Sequence, residues 1–403
     1  MLNITKASAT ILIFYILFYL QIWGDNRLIL YGSAGLTVLS MVAYWFHENH
    51  IDLRNVPFGV WNNLIMVAYS LAFGYFVAFN YNTVISSSIT FAAYSVVCIA
   101  ICYVSYKEKS FEWVLNTLIA LAVLCALYAL FFGTVWKGYG KTLSADNNPH
   151  FFAAVMNLGT FAIVYRIKEA KGKIPVLWTI LVGLFLYSIV QCGSRKYLIA
   201  TALMLVIWIF VSVKERWQTG NFEQRTAAVV IVLGIIVLAF IFYRRFYVNT
   251  DIYSRMTNEE DMGDQKRIEF YQKSFKIFVD SPIFGGGLDQ FRFWGGRGSY
   301  AHSTYAEAIA DFGFVGCVLY FSPIIYASYQ ICRKALGSKK NYKSSQLLAF
   351  CIAELFIGLG QIFFMEFHHF IAWTILFYYS YEPAEMKASG NLIQSKRQYK
   401  YIR

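Results

Sequence analysis

Twelve stretches of this chain are apolar over lengths that match a lipid bilayer, and a chain that must bury twelve such runs has few folds open to it. A helix needs about 17–25 residues to cross the hydrocarbon core. The runs fall at 8–23, 28–46, 59–78, 83–105, 110–133, 150–165, 175–192, 197–213, 226–243, 306–332, 345–365 and 367–382. Hydrocarbon offers no water to satisfy backbone groups, so each run is expected to cross as a helix. Residues 1–382 therefore read as one polytopic all-α membrane domain of about twelve transmembrane helices. Within it, 244–305 is a long extracytoplasmic loop, and 383–403 is a basic, disordered cytoplasmic tail. With 58% hydrophobic and 14% charged residues, a water-soluble globule is excluded. The first run has no small-residue cleavage site and reads as a retained helix.

Charge orients the bundle. If both termini are cytoplasmic, the even-numbered loops and the two tails hold 21 of the 35 Lys and Arg residues. Nine more lie between Arg244 and Arg297, in a loop long enough to escape the positive-inside rule. Arg195 and Lys196 run against that rule, since they occupy a very short outer loop. The net charge of +12 is thus mostly a topology signal and does not point to nucleic acid. The seven cysteines sit in or at the ends of apolar runs and form no disulfide framework and no CxxC metal motif. Neither a metal nor a cofactor is expected.

Polar exceptions in so apolar a chain are the candidate chemistry. The outer loop from Trp136 carries Lys137, Lys141 and Asp146, then Asn147-Asn148-Pro149-His150, a turn that opens the sixth helix beyond its proline. It reads either as a solvated connector or as a polar lip for a hydroxyl-rich ligand. Gln191-Cys192-Gly193-Ser194-Arg195-Lys196-Tyr197 joins two helices with almost no loop. Arg195 there either snorkels to the interface or binds phosphate, and the glycine beside it favours phosphate.

Within the long loop, Asp264 is a candidate N-cap for an amphipathic helix whose apolar stripe is Ile268, Tyr271, Phe275 and Phe278. This helix is expected to lie on the membrane or on the bundle, with Arg267 away from the stripe. Pro282 and Gly285-Gly286-Gly287 end it. Thr304 and Glu307 have capping-box spacing, which places His302 just outside the tenth helix. The field of that helix start favours an anion and a neutral imidazole, the form needed in a general base. Glu366, His368 and His369 read either as metal ligands or as interfacial anchors, and anchoring is the simpler account.

Taken in order, these residues resemble the O-antigen ligase and polysaccharide polymerase family of membrane glycosyltransferases. The likeness spans roughly residues 130–330. It rests on Asn148-Pro149-His150, Gly193-Ser194-Arg195, Arg267, Ser281-Pro282-Ile283-Phe284-Gly285-Gly286-Gly287, His302-x-x-Tyr305 and Asp311-Phe312-Gly313-Phe314-Val315-Gly316. The resemblance implies a GT-C-type bundle in the bacterial cytoplasmic membrane, with its active site on the extracytoplasmic face. Its donor is an undecaprenyl-diphosphate-linked oligosaccharide, and its pathway partners are a chain-length regulator or a flippase. Carried over, Arg195 and Arg267 bind the diphosphate and His302 is the base of an inverting, metal-independent transfer. Ser194, Lys196, Asn148, His150 and Tyr305 are supporting candidates. Ser303 stands where many relatives carry asparagine, which leaves the partner that orients His302 open.

The Gly-Ser-Arg-Lys-Tyr form of the arginine motif is more similar to the polymerases of O-antigen, capsule or exopolysaccharide than to the ligases that load lipopolysaccharide core. A transporter of the same lipid-linked glycan is the rival from another class. Transporters hold charge near the midplane and repeat their halves, whereas here the polar groups gather on one expected face. A purely structural membrane protein leaves Arg195 and His302 unexplained.

Overall fold

A computed structural model describes residues 2–23, 27–47, 56–135, 141–144, 148–167, 174–219, 262–294, 298–337 and 342–381, with isolated positions between 221 and 248. In chain order the helices are α1 (Leu2–Trp23, with a π-helical turn at Tyr15–Tyr19), α2 (Arg27–His47), α3 (Phe58–Val77), α4 (Tyr81–Lys107), α5 (Glu112–Phe132) and α6 (Pro149–Arg166). They continue as α7 (Ile174–Gln191), α8 (Arg195–Thr219), α9 (Met262–Asp280), α10 (Phe291–Trp294), α11 (Thr304–Leu336), α12 (Tyr342–Ile357) and α13 (Phe367–Ser380). Two short strands, β1 (Thr134–Val135) and β2 (Lys141–Thr142), pair antiparallel in the connection expected to be open loop.

The protein is an all-α membrane protein. Six of the described helices are long and apolar enough to cross a bilayer: α1, α3, α4, α5, α7 and α11. Large apolar side chains such as Phe46, Phe76, Phe131, Phe132 and Phe210 point outward, a surface that lipid tolerates and water would not. The apolar run at 226–243 and the basic tail lie largely outside the described residues.

The eleventh run departs from expectation. Its helix, α12, stops at Ile357 after 16 residues. Gly358 and Gly360 end it, a short 3-10 turn follows at Phe363–Met365, and α13 begins at Phe367. Residues 358–366 are thus a loop at one end of the bundle, where the hydrophobicity pattern puts continuous helix.

The glycine turn and the second half of the family pattern form one clasp. At Gly313, φ is 60° and ψ is −163°, and α11 kinks. The freed backbone groups are met by the turn: Gly286 N–H donates to Ala310 O at 2.7 Å, Gly287 N–H to Asp311 O at 2.9 Å, and Phe314 N–H to Pro282 O at 2.8 Å. The Asp311 carboxylate accepts from the N–H groups of Asp289 at 2.7 Å and Phe291 at 3.1 Å, and the Tyr69 hydroxyl donates to Phe312 O at 2.7 Å. The three glycines therefore bind the kink of α11 and are not a cradle for phosphate.

Gly285 and Gly313 press backbone to backbone. A Cβ on Gly313 would lie 2.4 Å from Gly285 N, and its φ is open only to glycine. Gly313→Ala is expected to cost roughly 3 kcal/mol from the left-handed conformation and overpacking together. A thermal melt in detergent should show a lower midpoint.

Candidate functional site

Three segments meet at the end of the bundle that holds residues 358–366. The first is the turn into α8. Gly193 has φ 79°, which lets the chain reverse within one residue and bury Ser194. Ser194 Oγ is 2.7 Å from His150 Nδ1, and Asn148, capping α6, accepts from the His150 N–H at 2.9 Å. The two polar motifs, far apart in sequence, are joined here. Arg195 opens α8 half-buried between Ser194 and Lys196. Lys196 Nζ donates to Gly360 O at 2.6 Å and to Gln361 Oε1, fixing the start of α8 to the 358–366 loop.

One residue on, the Tyr197 hydroxyl lies 3.0 Å from His368 Nε2 and 3.4 Å from His369 Nε2, and His369 Nδ1 is 2.9 Å from Glu354 Oε2. His368 and His369 are both buried, at 2% and 1% exposure. The anchoring account of Glu366, His368 and His369 is therefore corrected. Both histidines are packed inside the bundle, where Tyr197 meets one nitrogen of each and Glu354 the other nitrogen of His369, and they hold the arginine turn from behind.

The second segment carries His302, which has φ 58°, a conformation rare outside glycine. Ser303 is the N-cap of α11, its hydroxyl accepting from Ala306 N–H, and Glu307 turns back to accept from Ala301 N–H. The capping box expected at Thr304 is thus shifted by one residue. Thr304 instead donates through Oγ1 to Gln361 O at 2.6 Å and accepts from Phe363 N–H at 2.9 Å. The His302 ring lies between Tyr300, at 4.3 Å between centroids, and Phe270, parallel to within 11° at 6.1 Å. Aromatic faces orient the imidazole where sequence reasoning sought a polar partner. Burial, and then the nearby charges of Lys196 and Arg267, push its pKa down to about 4. The ring is neutral at pH 7, with burial a larger cause than the helix field.

The third segment is α9. The helix starts at Met262, so Asp264 falls in its first turn and is not its N-cap. Its packed face is Phe270, Ser274 and Ile277, whereas Ile268, Tyr271 and Phe275 of the expected stripe are exposed. The stripe therefore faces away from the bundle, one of the two placements open to this helix, and Arg267 lies away from it as expected; hydrophobic periodicity alone cannot tell a lipid-facing side from a core-facing one. Arg267 shares the packed face, one turn before Phe270, which stacks on His302. Its charge acts on His302, Lys196 and Tyr300, which places it in the same polar cluster.

The Asn148 side chain hydrogen-bonds the Tyr300 hydroxyl. Burial lifts the Glu366 carboxyl to about 7, with Lys196 pulling it back. His302, Arg267, Lys196, Asn148, Tyr300 and Glu366 thus form one polar cluster, called here the chamber, with Arg195 and the His150–Ser194 pair beside it at the start of α8. Tyr305 stands apart, because its hydroxyl donates to Leu355 O at 2.8 Å and its ring stacks on Phe321. Sequence reasoning missed Tyr300, Phe270 and Gln361. Gly358-Leu359-Gly360 in a run read as helix was the available signal for Gln361.

Residues 180–321, which carry the arginine turn, α9, the glycine clasp and His302, match the family model described as O-antigen ligase. This segment is similar to the O-antigen ligase family. The match supports a function of O-antigen ligase or polymerase type, in keeping with an integral membrane protein. No curated protein matches the chain. Residues 358–369, which close the chamber, lie beyond the matched segment.

Proposed function

We propose that this protein is a polysaccharide polymerase of the O-antigen ligase family. In this reading it transfers an undecaprenyl-diphosphate-linked glycan to a lipid-linked acceptor repeat unit, with inversion. The observation that carries the proposal is a neutral histidine, in a left-handed turn, in one chamber with cationic groups from two other segments. Arg195 and Arg267 bind the diphosphate, because a planar guanidinium can give two parallel hydrogen bonds to phosphate oxygens. The acceptor hydroxyl oxygen attacks the anomeric carbon. The bond from that carbon to the diphosphate oxygen breaks, and its electron pair leaves on the lipid diphosphate. The hydroxyl proton passes to the free nitrogen of His302. The guanidinium groups stabilise the charge as it grows on the leaving oxygen, so the reading needs no metal.

The full reading has about twelve transmembrane helices in a GT-C-type bundle. It sits in the bacterial cytoplasmic membrane, with both termini cytoplasmic and the chamber on the outer face. A cysteine placed at Ser299 is then expected to react with an impermeant thiol reagent added outside the cell; protection there would overturn the orientation.

The test of function uses purified full-length protein in detergent with an undecaprenyl-diphosphate-linked repeat unit, with and without EDTA. A ladder of lipid-linked oligomers that survives EDTA is the expected result. Transfer only when lipopolysaccharide core is supplied would assign a ligase. Transfer to neither acceptor would overturn the enzyme reading and leave a lipid-linked glycan transporter.

A further inference from the structure

We propose that Glu366 forms the subsite for the acceptor sugar, its carboxylate accepting hydrogen bonds from the sugar hydroxyl groups, while Gln361, buried and bonded to both Lys196 and Glu366, positions it. The proposal rests on the transfer reading above and extends it to residues outside the matched family segment. An inverting displacement brings the acceptor in on the face opposite the leaving diphosphate. Polar groups distinct from the two arginines must therefore hold it.

The 358–366 loop is placed for this. Gln361 is one hydrogen bond from each site-bearing helix: its Oε1 accepts from Lys196, next to Arg195, and its backbone oxygen accepts from Thr304, two residues past His302. Thr304 N–H also donates to Gly358 O at 2.9 Å. The loop is thus the wall that the start of α8 and the start of α11 share.

The state of Glu366 points to the kind of ligand. Its ionised form offers about four acceptor positions, and with the carboxyl lifted to about 7 by burial that form prevails only above neutral pH. Glu366 Oε1 takes one long bond, 3.4 Å from Gln361 Nε2, and Oε2 is 3.9 Å from His368 Nδ1, a buried ring nitrogen that makes no hydrogen bond. The Glu366 side chain is 27% exposed. A half-buried carboxylate this poorly bonded is costly unless donors reach it. A diphosphate cannot supply them, because its oxygens are anionic acceptors and repel a carboxylate. Sugar hydroxyls donate, and they present several donors at once. Tyr300 lies close enough to feel the Glu366 charge and is held by Asn148, adding a hydroxyl to the same wall.

The test is steady-state kinetics of the full-length protein in detergent. The lipid-diphosphate-linked repeat unit is the donor, and a soluble repeat-unit glycan without lipid is the varied acceptor. Glu366→Gln is expected to raise the acceptor KM about tenfold, while the donor KM and kcat hold within about twofold. Glu366→Asp, which keeps the charge on a shorter arm, should fall between. An unmoved acceptor KM in Glu366→Gln, with active wild type, overturns the subsite alone. A parallel fall in kcat and rise in both KM values overturns it too, by showing a structural role. If Glu366→Gln does not fold, Glu366→Asp decides by the same readouts. Wild type that transfers to no acceptor is a failure of the transfer reading, and the subsite falls with it.

Discussion

Replacing His302 with alanine is expected to lower the transfer rate by about a thousandfold or more while leaving the protein folded and inserted, since a positioned general base contributes roughly 10²–10⁴. The fold should survive because the packing around residue 302 comes from Ser303, Thr304 and Glu307, which cap α11 and tie it to the 358–366 loop. His302 itself gives only its ring. Because residue 302 sits at φ 58°, alanine adds backbone strain of its own. His302→Asn separates the two effects, since asparagine tolerates that conformation and still cannot act as the base. Near-normal polymer from His302→Asn would remove His302 from the role of base.

The pH profile gives a second handle on the same residue. The base form of His302 is the neutral ring, so activity falls when the ring is protonated. Burial and the charges of Lys196 and Arg267 place that point at about 4 in the free protein. The acid limb of kcat/KM for the donor, measured at saturating acceptor, should therefore lie well below the ordinary histidine range, with the rate constant down to about pH 5 and falling about tenfold per unit below 4. Bound diphosphate offsets the two cations. The acid limb of kcat, which reports the substrate complex, should then sit at higher pH than that of kcat/KM. A limb near 6.5 in both would show that His302 is not held as described.

Arg195→Lys is expected to reduce kcat/KM for the donor by about a hundredfold, because lysine keeps the charge and loses the paired donors that match a phosphate. The neighbouring lysine cannot make up the loss: Lys196 Nζ is already engaged by Gly360 O and Gln361, on the loop across the chamber. Arg267→Lys should cost a similar factor, and the double variant less than the product, as both act on one leaving group. Donor kinetics within about threefold of wild type in Arg195→Lys would remove that residue from the diphosphate site.

Much of this molecule is legible in the amino-acid sequence. Apart from the run at 226–243, the apolar runs coincide with described helices, α1 to α8 and α11 to α13, six of which are long and apolar enough to cross a bilayer, because in lipid the spanning length is fixed by bilayer thickness and every backbone group must be satisfied within its own segment. The candidate residues stand out as well. An arginine or histidine left in so apolar a chain is costly unless it has a partner or a task. Asn148, His150, Ser194, Arg267 and His302 do gather at one end of the bundle. The glycine pattern is visible but its use is not. Gly285 and Gly313 look like parts of a binding loop until their contact at the kink of α11 is seen.

One feature misleads and one is left open by the sequence, for one physical reason. The stripe of Ile268, Tyr271 and Phe275 and the apolar run through residues 358–366 are both assigned from hydrophobicity, and hydrophobicity does not report what a residue faces when the solvent is itself apolar. In water the apolar side of a helix is its buried side. At a membrane it can be the outer side, as in α9, and a loop packed inside the bundle end can be as apolar as a helix.

The sequence by itself determined that the chain lies in a membrane, where its helices fall and which few polar residues had to be accounted for, because bilayer thickness and the cost of burying polar groups act locally along the chain. Only the tertiary structure decided that Arg267 turns inward, that aromatic rings and two cations set the state of His302, and that Gln361 and Glu366 close the chamber. Those outcomes depend on contacts such as Lys196 with Gln361, 165 positions apart, and no local pattern encodes which distant surfaces meet.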